Sequence, residues 1–306
     1  MIASSAVDIM TPILLAALGG LFTERAGILN IGLEGLMLLG AFFCLVFTEM
    51  TGSFYIGIIL GSLVPVLASA LFGAVSQELK ANIYMAGLGV NLLALGVTSL
   101  TSFRIFGTRG NIRFQELPNF PVLTIPFIEE IPVIGGIVSS HSFITYLTIP
   151  LVILISFLFS KTAFGMRIDA AGLNSSALYS HGVSVKRYRY AAVLISGFLA
   201  GLGGGFLSLR IGAYVPNISS GRGWIALVAI FLGSRKPWGT FFAVFAFSLA
   251  ESIANSAQNA VGYSPTLLLA FPYIATLAGM VIVAAVKQQR EKKKHYSLTS
   301  EKNRGS

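Results

Sequence analysis

From Leu14 to Phe43 the chain reads LLAALGGLFTERAGILNIGLEGLMLLGAFF, two strongly apolar arms around a polar, glycine-bearing interruption. Gly19, Gly20 and the run Thr23-Glu24-Arg25-Ala26-Gly27 interrupt the first arm, and Asn30, Gly32, Glu34 and Gly35 open the second. Either arm reads as shorter than the ~20 residues that an unbroken span of a bilayer needs. Backbone that leaves a helix inside a membrane is tolerated only where protein or a water-filled cavity satisfies it. A glycine-interrupted apolar segment with polar side chains at the break therefore points to a solute path. The competing reading is a short turn outside the membrane with Glu24 and Arg25 solvated. The pattern alone leaves both open.

Composition settles the class. Of 306 residues 55% are hydrophobic and 11% charged, and the mean hydropathy is +0.79. Soluble domains carry roughly 25% charged residues, so this is an integral membrane protein. No positive charge precedes Arg25, so no cleaved leader is expected. Cys44 is the lone cysteine, which excludes an intrachain disulfide or a cysteine metal cluster. The three histidines, at 141, 181 and 295, are scattered. Each is read as a surface histidine, and no metal site is expected.

Charge orients the chain. The stretch 161–189 and the tail from Lys287 together hold twelve bases and three acids, a surplus equal to the net charge of +9. By contrast, 104–141 holds three Arg (104, 109, 113) and three Glu (116, 129, 130). Positive loops stay in the cytoplasm. The chain thus divides into a membrane domain, 1–286, and a basic cytoplasmic tail, 287–306. An outer cap loop, 106–140, and an inner loop, 162–188, belong to the first. The tail is read as a solvated stop, not a nucleic-acid arm.

Apolar runs predict spans at 8–22, 33–49, 54–78, 83–105, 142–161, 189–209, 222–234, 238–257 and 265–286. Nine crossings with the C-terminus inside place Met1 outside. The first and seventh are short enough that one could be re-entrant. Segment 83–105 reads as broken near Gly87, Gly89 and Asn91. A second interrupted segment is a short helix, 223–233, then Ser234-Arg235-Lys236-Pro237, then another helix after Gly239. Paired broken helices in two halves of a chain are a transporter feature.

Glu34, Glu251 and Asn91 fall within apolar runs, with Asn255 and Asn259 in or at the end of another. An intramembrane carboxylate normally faces a cavity or a partner. Glu251, Asn255 and Asn259 share one helix face at i, i+4 and i+8 and read as a packing stripe. Glu24, Asn30, Glu34 and Asn91 read as lining the passage. In the inner loop, Ala170, Leu173, Ala177 and Leu178 recur at helical spacing up to Gly182, predicting one short amphipathic helix of about twelve residues. Its apolar face is too small to hold it on lipid, so it reads as a knob for another protein's groove.

Three motifs now carry a resemblance: GGLFTERAGILNIGLEGLMLLGAF, RIDAAGLNSSALYSHGVSV followed by SGFLAGLGGGFLSL, and GRGWIALVAIFLGSRKPWG. In this order they resemble the ribose-type (simple-sugar) permeases of bacterial ABC importers, and most closely the shorter permease subunit of nucleoside importers. The resemblance implies an all-α, type II importer transmembrane domain of about eight or nine segments in the bacterial cytoplasmic membrane. It implies a second, unlike permease subunit, an ABC ATPase subunit and an extracytoplasmic substrate-binding lipoprotein. The loop helix 171–183 then resembles the coupling helix to the ATPase, with Gly172, Leu173, Asn174, Ala177, Leu178 and Gly182 in its pattern. Ser175 and Ser176 stand where the family usually has Pro and Ala. No G-x-x-x-x-G-K-[ST] phosphate loop is present. Gly201–Gly205 reads as close helix packing. This chain is therefore expected to bind no cofactor and to be no enzyme, ATP and Mg residing on the partner. An ion-coupled carrier using Glu34 and Glu251, or a sugar permease, are the competing readings.

Overall fold

In lipid every backbone N–H and C=O must be satisfied within the protein, and helices do this for nearly all of the chain described. The computed structural model describes residues 2–114, 117, 118, 120, 122, 123 and 141–261, with side chains of the last helix up to Ser256. Its helices are α1 (Ile2–Arg25), α2 (Leu33–Thr51), α3 (Phe54–Gln77), α4 (Ile83–Phe106), α5 (Phe143–Lys161), α6 (Ala163–Leu173), α7 (Ser175–Ser180), α8 (Val185–Ile211), α9 (Arg222–Leu232) and α10 (Pro237–Val261). Seven of them, α1–α5, α8 and α10, are long and apolar enough to cross a membrane. At 11 residues α9 is ~16 Å long, half a crossing. The ninth predicted span, 265–286, and the tail lie outside the described residues.

Three expectations are corrected. The first span is not short: α1 runs 24 residues straight through Gly19 and Gly20. The second arm, α2, is also a full helix of 19 residues. Segment 83–105 is likewise unbroken, since α4 passes through Gly87, Gly89 and Asn91. A glycine inside a helix costs only ~1 kcal/mol, which close packing offsets. A Cβ on Gly19 would lie 2.9 Å from the Ser196 carbonyl oxygen, and one on Gly20 would lie 2.7 Å from Leu33 Cδ1.

The real interruption is the irregular segment 26–32, of which only Gly27 is exposed. It turns back into the protein beside α1. Asn30 Nδ2 donates to Ser196 Oγ at 3.0 Å, and Ser196 is the residue packed on Gly19. Leu33, the first residue of α2, packs on Gly20. Gly20 lies five residues before the end of α1, so α2 begins ~8 Å inside that end.

The second interruption is as expected. After α9 the chain turns at Gly233–Lys236, with Ser234 (φ 54°) and Arg235 (φ 57°) left-handed, before α10. Four two-residue strands close the opposite end of the bundle. β1 (Ile112–Arg113) pairs antiparallel with β4 (Ala213–Tyr214), and β2 (Val122–Leu123) with β3 (His141–Ser142). They pin the described parts of the 106–140 loop; most of that loop lies outside the described residues. His141 is not a surface residue. It is 2% exposed, with Nδ1 3.0 Å from Asp8 Oδ1, and Asp8 also pairs with Arg210.

Candidate functional site

Two helices start inside the protein, and each start exposes backbone N–H groups that lack an intrahelical acceptor. The polar residues singled out in the sequence satisfy them. At the start of α2, Asn30 Oδ1 accepts from Gly32 N–H at 3.1 Å and Asn91 Oδ1 accepts from Gly35 N–H at 2.8 Å. Asn91 Nδ2 donates to the Ile31 carbonyl at 3.2 Å. At the start of α9, the two oxygens of Glu34 accept from Gly221 N–H at 2.8 Å and Gly223 N–H at 2.7 Å. A carboxylate at a helix N-terminus also meets the positive end of the helix dipole. Asn30, Glu34 and Asn91 thus gather at one depth, where α2 and α9 both begin.

Glu24 belongs elsewhere, with a second cluster at the end that carries the 162–184 loop. Arg235 Nη2 pairs with Glu24 Oε1 at 2.6 Å. Arg25 Nη1 donates to both oxygens of Asp169, at 2.9 and 3.2 Å, Nε donates to the Arg235 carbonyl at 2.9 Å, and the guanidinium lies 4.2 Å from the Phe159 ring centre. Arg189 donates to the carbonyls of Ala26 and Ala171, both at 3.2 Å. A Cβ on Gly172 would overlap the Arg25 carbonyl oxygen and lie 2.8 Å from Gly27 N. The end of α1, the end of α6 and the α9–α10 turn are therefore locked together. An open cleft of about 600 Å³ lies among them, lined in part by Glu24, Arg25, Asp169, Leu173 and Arg235. Burial pushes the Asp169 carboxyl above the usual aspartate range, against the opposing pull of Arg25. Sequence reasoning missed Asp169, Arg189 and Arg235 as partners. The available signal was Arg25 itself, a cation ending an apolar arm and in want of an anion.

The loop helix is corrected in detail. It is two pieces: α6 ends at Leu173, and α7 starts after Asn174, whose Oδ1 caps it by accepting from Ala177 N–H at 3.0 Å. Gly182 (φ 72°) ends it, with Val183 N–H bonded to the Leu178 carbonyl at 3.2 Å. Leu173 and Leu178 do not share a face: Leu178 is 8% exposed, whereas Leu173 is 84% and Tyr179 79% exposed. The break at Asn174 rotates the second piece, so a single helical period misassigns the outward side. The 251–259 stripe is also divided. Glu251 pairs with Arg222 at 2.9 Å, Asn255 is exposed, and the side chain of Asn259 lies outside those described.

A family model described as "branched-chain amino acid transport system / permease component" matches residues 1–286. The chain is 33% identical over 280 residues to the nucleoside ABC transporter permease protein NupC of Lactococcus lactis, covering 87% of each. It is 35% identical over 285 residues to the guanosine ABC transporter permease protein NupQ of Bacillus subtilis, covering 88% of this chain and 87% of that one. A third relative is the putative glucose ABC transporter permease protein TsgC13 of Haloferax volcanii, 31% identical over 91% of this chain and 82% of its own. No solved structure matches. These likenesses meet the resemblance read from the three motifs. The solutes in these names differ, and a shared fold does not fix a ligand. The chain belongs to this permease family, and is a multi-pass helical membrane component of a transport system.

Proposed function

We propose that this chain is one of two unlike permease subunits of an ATP-driven nucleoside importer in a bacterial cytoplasmic membrane. The observation that carries the reading is likeness along nearly the whole chain to two permeases named for nucleosides. The 162–184 loop and the C-terminus face the cytoplasm, by the positive-inside bias. An extracytoplasmic lipoprotein delivers solute at the strand-bearing end. A separate ATPase subunit, holding ATP and Mg, docks on the exposed tip formed by Leu173, Asn174, Ala177 and Tyr179. Its stroke reaches α1 through Gly172 and Asp169, and the α9–α10 turn through Arg25 and Arg235. Those contacts lead on to Glu34, where α2 and α9 begin.

Uptake of radiolabelled uridine and adenosine by cells expressing the complete transporter, in competition with ribose, tests the solute. Uptake that ribose blocks, with nucleosides ineffective, selects the sugar reading, which the glucose-named relative favours. Uptake that survives ATP depletion but collapses with an uncoupler selects ion coupling instead.

The tip has its own prediction. Leu173→Asp combined with Tyr179→Asp should lower solute-stimulated ATP hydrolysis about tenfold or more, with assembled complex unchanged, because exposed anchors dominate such contacts. Leu178→Asp should instead reduce the amount of complex. Its side chain is buried, and a carboxylate there has no partner in place. Unchanged stimulation in the double variant removes the docking assignment.

A further inference from the structure

The segment joining β4 to α9 runs through the membrane without being a helix. Tyr214 packs on Phe42 with ring centres 4.9 Å apart, and Gly221 and Gly223 bond Glu34. Phe42 and Glu34 stand eight residues apart on α2, a rise of ~12 Å. Residues 215–221 therefore descend about that depth as irregular backbone. Val215, Pro216, Asn217 and Ser220 are exposed along it. Irregular backbone that faces lipid does not occur within the hydrocarbon region, so lipid does not cover this face. On α9, which follows directly, the large exposed side chains are aromatic. Trp224 (41% exposed) and Phe231 (42% exposed) lie two turns apart, with partly exposed Val228 between them.

We infer that residues 215–220 and the Trp224–Val228–Phe231 stripe form a wall of the translocation lumen, with Trp224 the stacking platform for the heterocyclic base of the solute. The inference deepens the nucleoside reading and rests on it for the base. Polar backbone and polar side chains at mid-depth keep this wall wet. Every nucleobase has a π-face, so an aromatic platform accepts purines and pyrimidines alike. Phe231 lies ~10.5 Å further toward the loop end and lines the 600 Å³ cleft there, so it offers the next contact on the way out. The guanidinium of Arg235 sits over this ring, 5.9 Å from its centre, and Phe231 is still 42% exposed.

The test uses the complete importer in proteoliposomes, with the other subunits made cysteine-free. Trp224→Cys should react with a water-soluble maleimide, and adenosine should slow the reaction; native Cys44 is fully buried and stays silent. No labelling, or a complex that fails to assemble, places the face in a subunit contact and overturns the inference. In uptake, Trp224→Ala should lower nucleoside transport about tenfold, by the usual loss of base stacking, while Trp224→Phe retains most of it. Equal uptake by the Ala variant also overturns it. Wild-type importer that takes up no nucleoside sinks the reading of the solute instead, and is recognised by labelling that persists without nucleoside protection.

Discussion

Gly204→Ala should sharply lower the stability and yield of this protein. A Cβ there would overlap the Met37 carbonyl oxygen and lie 2.7 Å from the Met37 carbonyl carbon and 2.9 Å from the Ala41 nitrogen. All three are backbone of α2, which cannot swing aside as a side chain tip does. The neighbours of Gly204 on α8 prevent any escape. Gly203 holds the Pro12 carbonyl of α1 where a Cβ would sit 2.6 Å away, and Gly201 holds Pro65 of α3 with Cγ at 2.8 Å. Small residues that let backbones touch are the main glue between helices in lipid, where no hydrophobic force joins them. Overpacking usually costs 1–3 kcal/mol, and with backbone on both sides the upper end, about 3 kcal/mol, is expected. Thermal unfolding in detergent and yield of purified complex measure it. Gly89→Ala and Gly96→Ala on α4 are the controls. Nothing lies within 4 Å of either added Cβ, so both should be neutral or mildly stabilising. A normal unfolding temperature for Gly204→Ala contradicts this packing.

The sequence carried the class of the fold and much of its order, because apolar runs of span length have few other uses. It placed the two interruptions in the right neighbourhoods but read one of them wrongly. Gly19 and Gly20 look like breakers when only helix propensity is weighed; across the fold they are contact points, and the chain leaves the helix only after Arg25. The half helix α9 was legible because Gly233 and Pro237 bracket the polar, charged run Ser234-Arg235-Lys236, which no apolar span carries in its middle. Asn30, Glu34 and Asn91 were legible as residues that must earn their burial. That they cap helices begun inside the membrane depends on contacts between residues 56 and more than 180 positions apart, which periodicity cannot reach. The outward side of the 162–184 loop was illegible for a local reason: Asn174 ends one helix and caps the next, so the phase is lost there.

Arg25→Ala should uncouple ATP hydrolysis from solute while leaving the transmembrane helices folded. Arg25 is 18% exposed and Asp169 31%, and Arg25 touches the end of α6, the α9–α10 turn and the Phe159 ring at once. Its removal leaves the half-buried carboxylate without its cation and the Arg235 carbonyl to water. The cost to this junction is about 2 kcal/mol, the scale for charge-assisted hydrogen bonds lost from a part-buried pair. Arg25→Lys should recover only part of the loss, since a single ammonium cannot reach Asp169 and the Arg235 carbonyl and stack flat on Phe159 together. Asp169→Asn should be mild, within about 1 kcal/mol. Burial raises the Asp169 carboxyl in the folded protein, so folding favours its protonated form. That contribution is complete below the unfolded-state value and is lost as pH rises through the raised one. A neutral amide that still accepts from Arg25 therefore forfeits little. A double-mutant cycle on these two positions, read as solute-stimulated ATPase in the reconstituted complex, separates the pair from the carbonyl and ring contacts. Wild-type stimulation in Arg25→Ala would show that the stroke reaches α1 by another route, through Gly172 against Gly27.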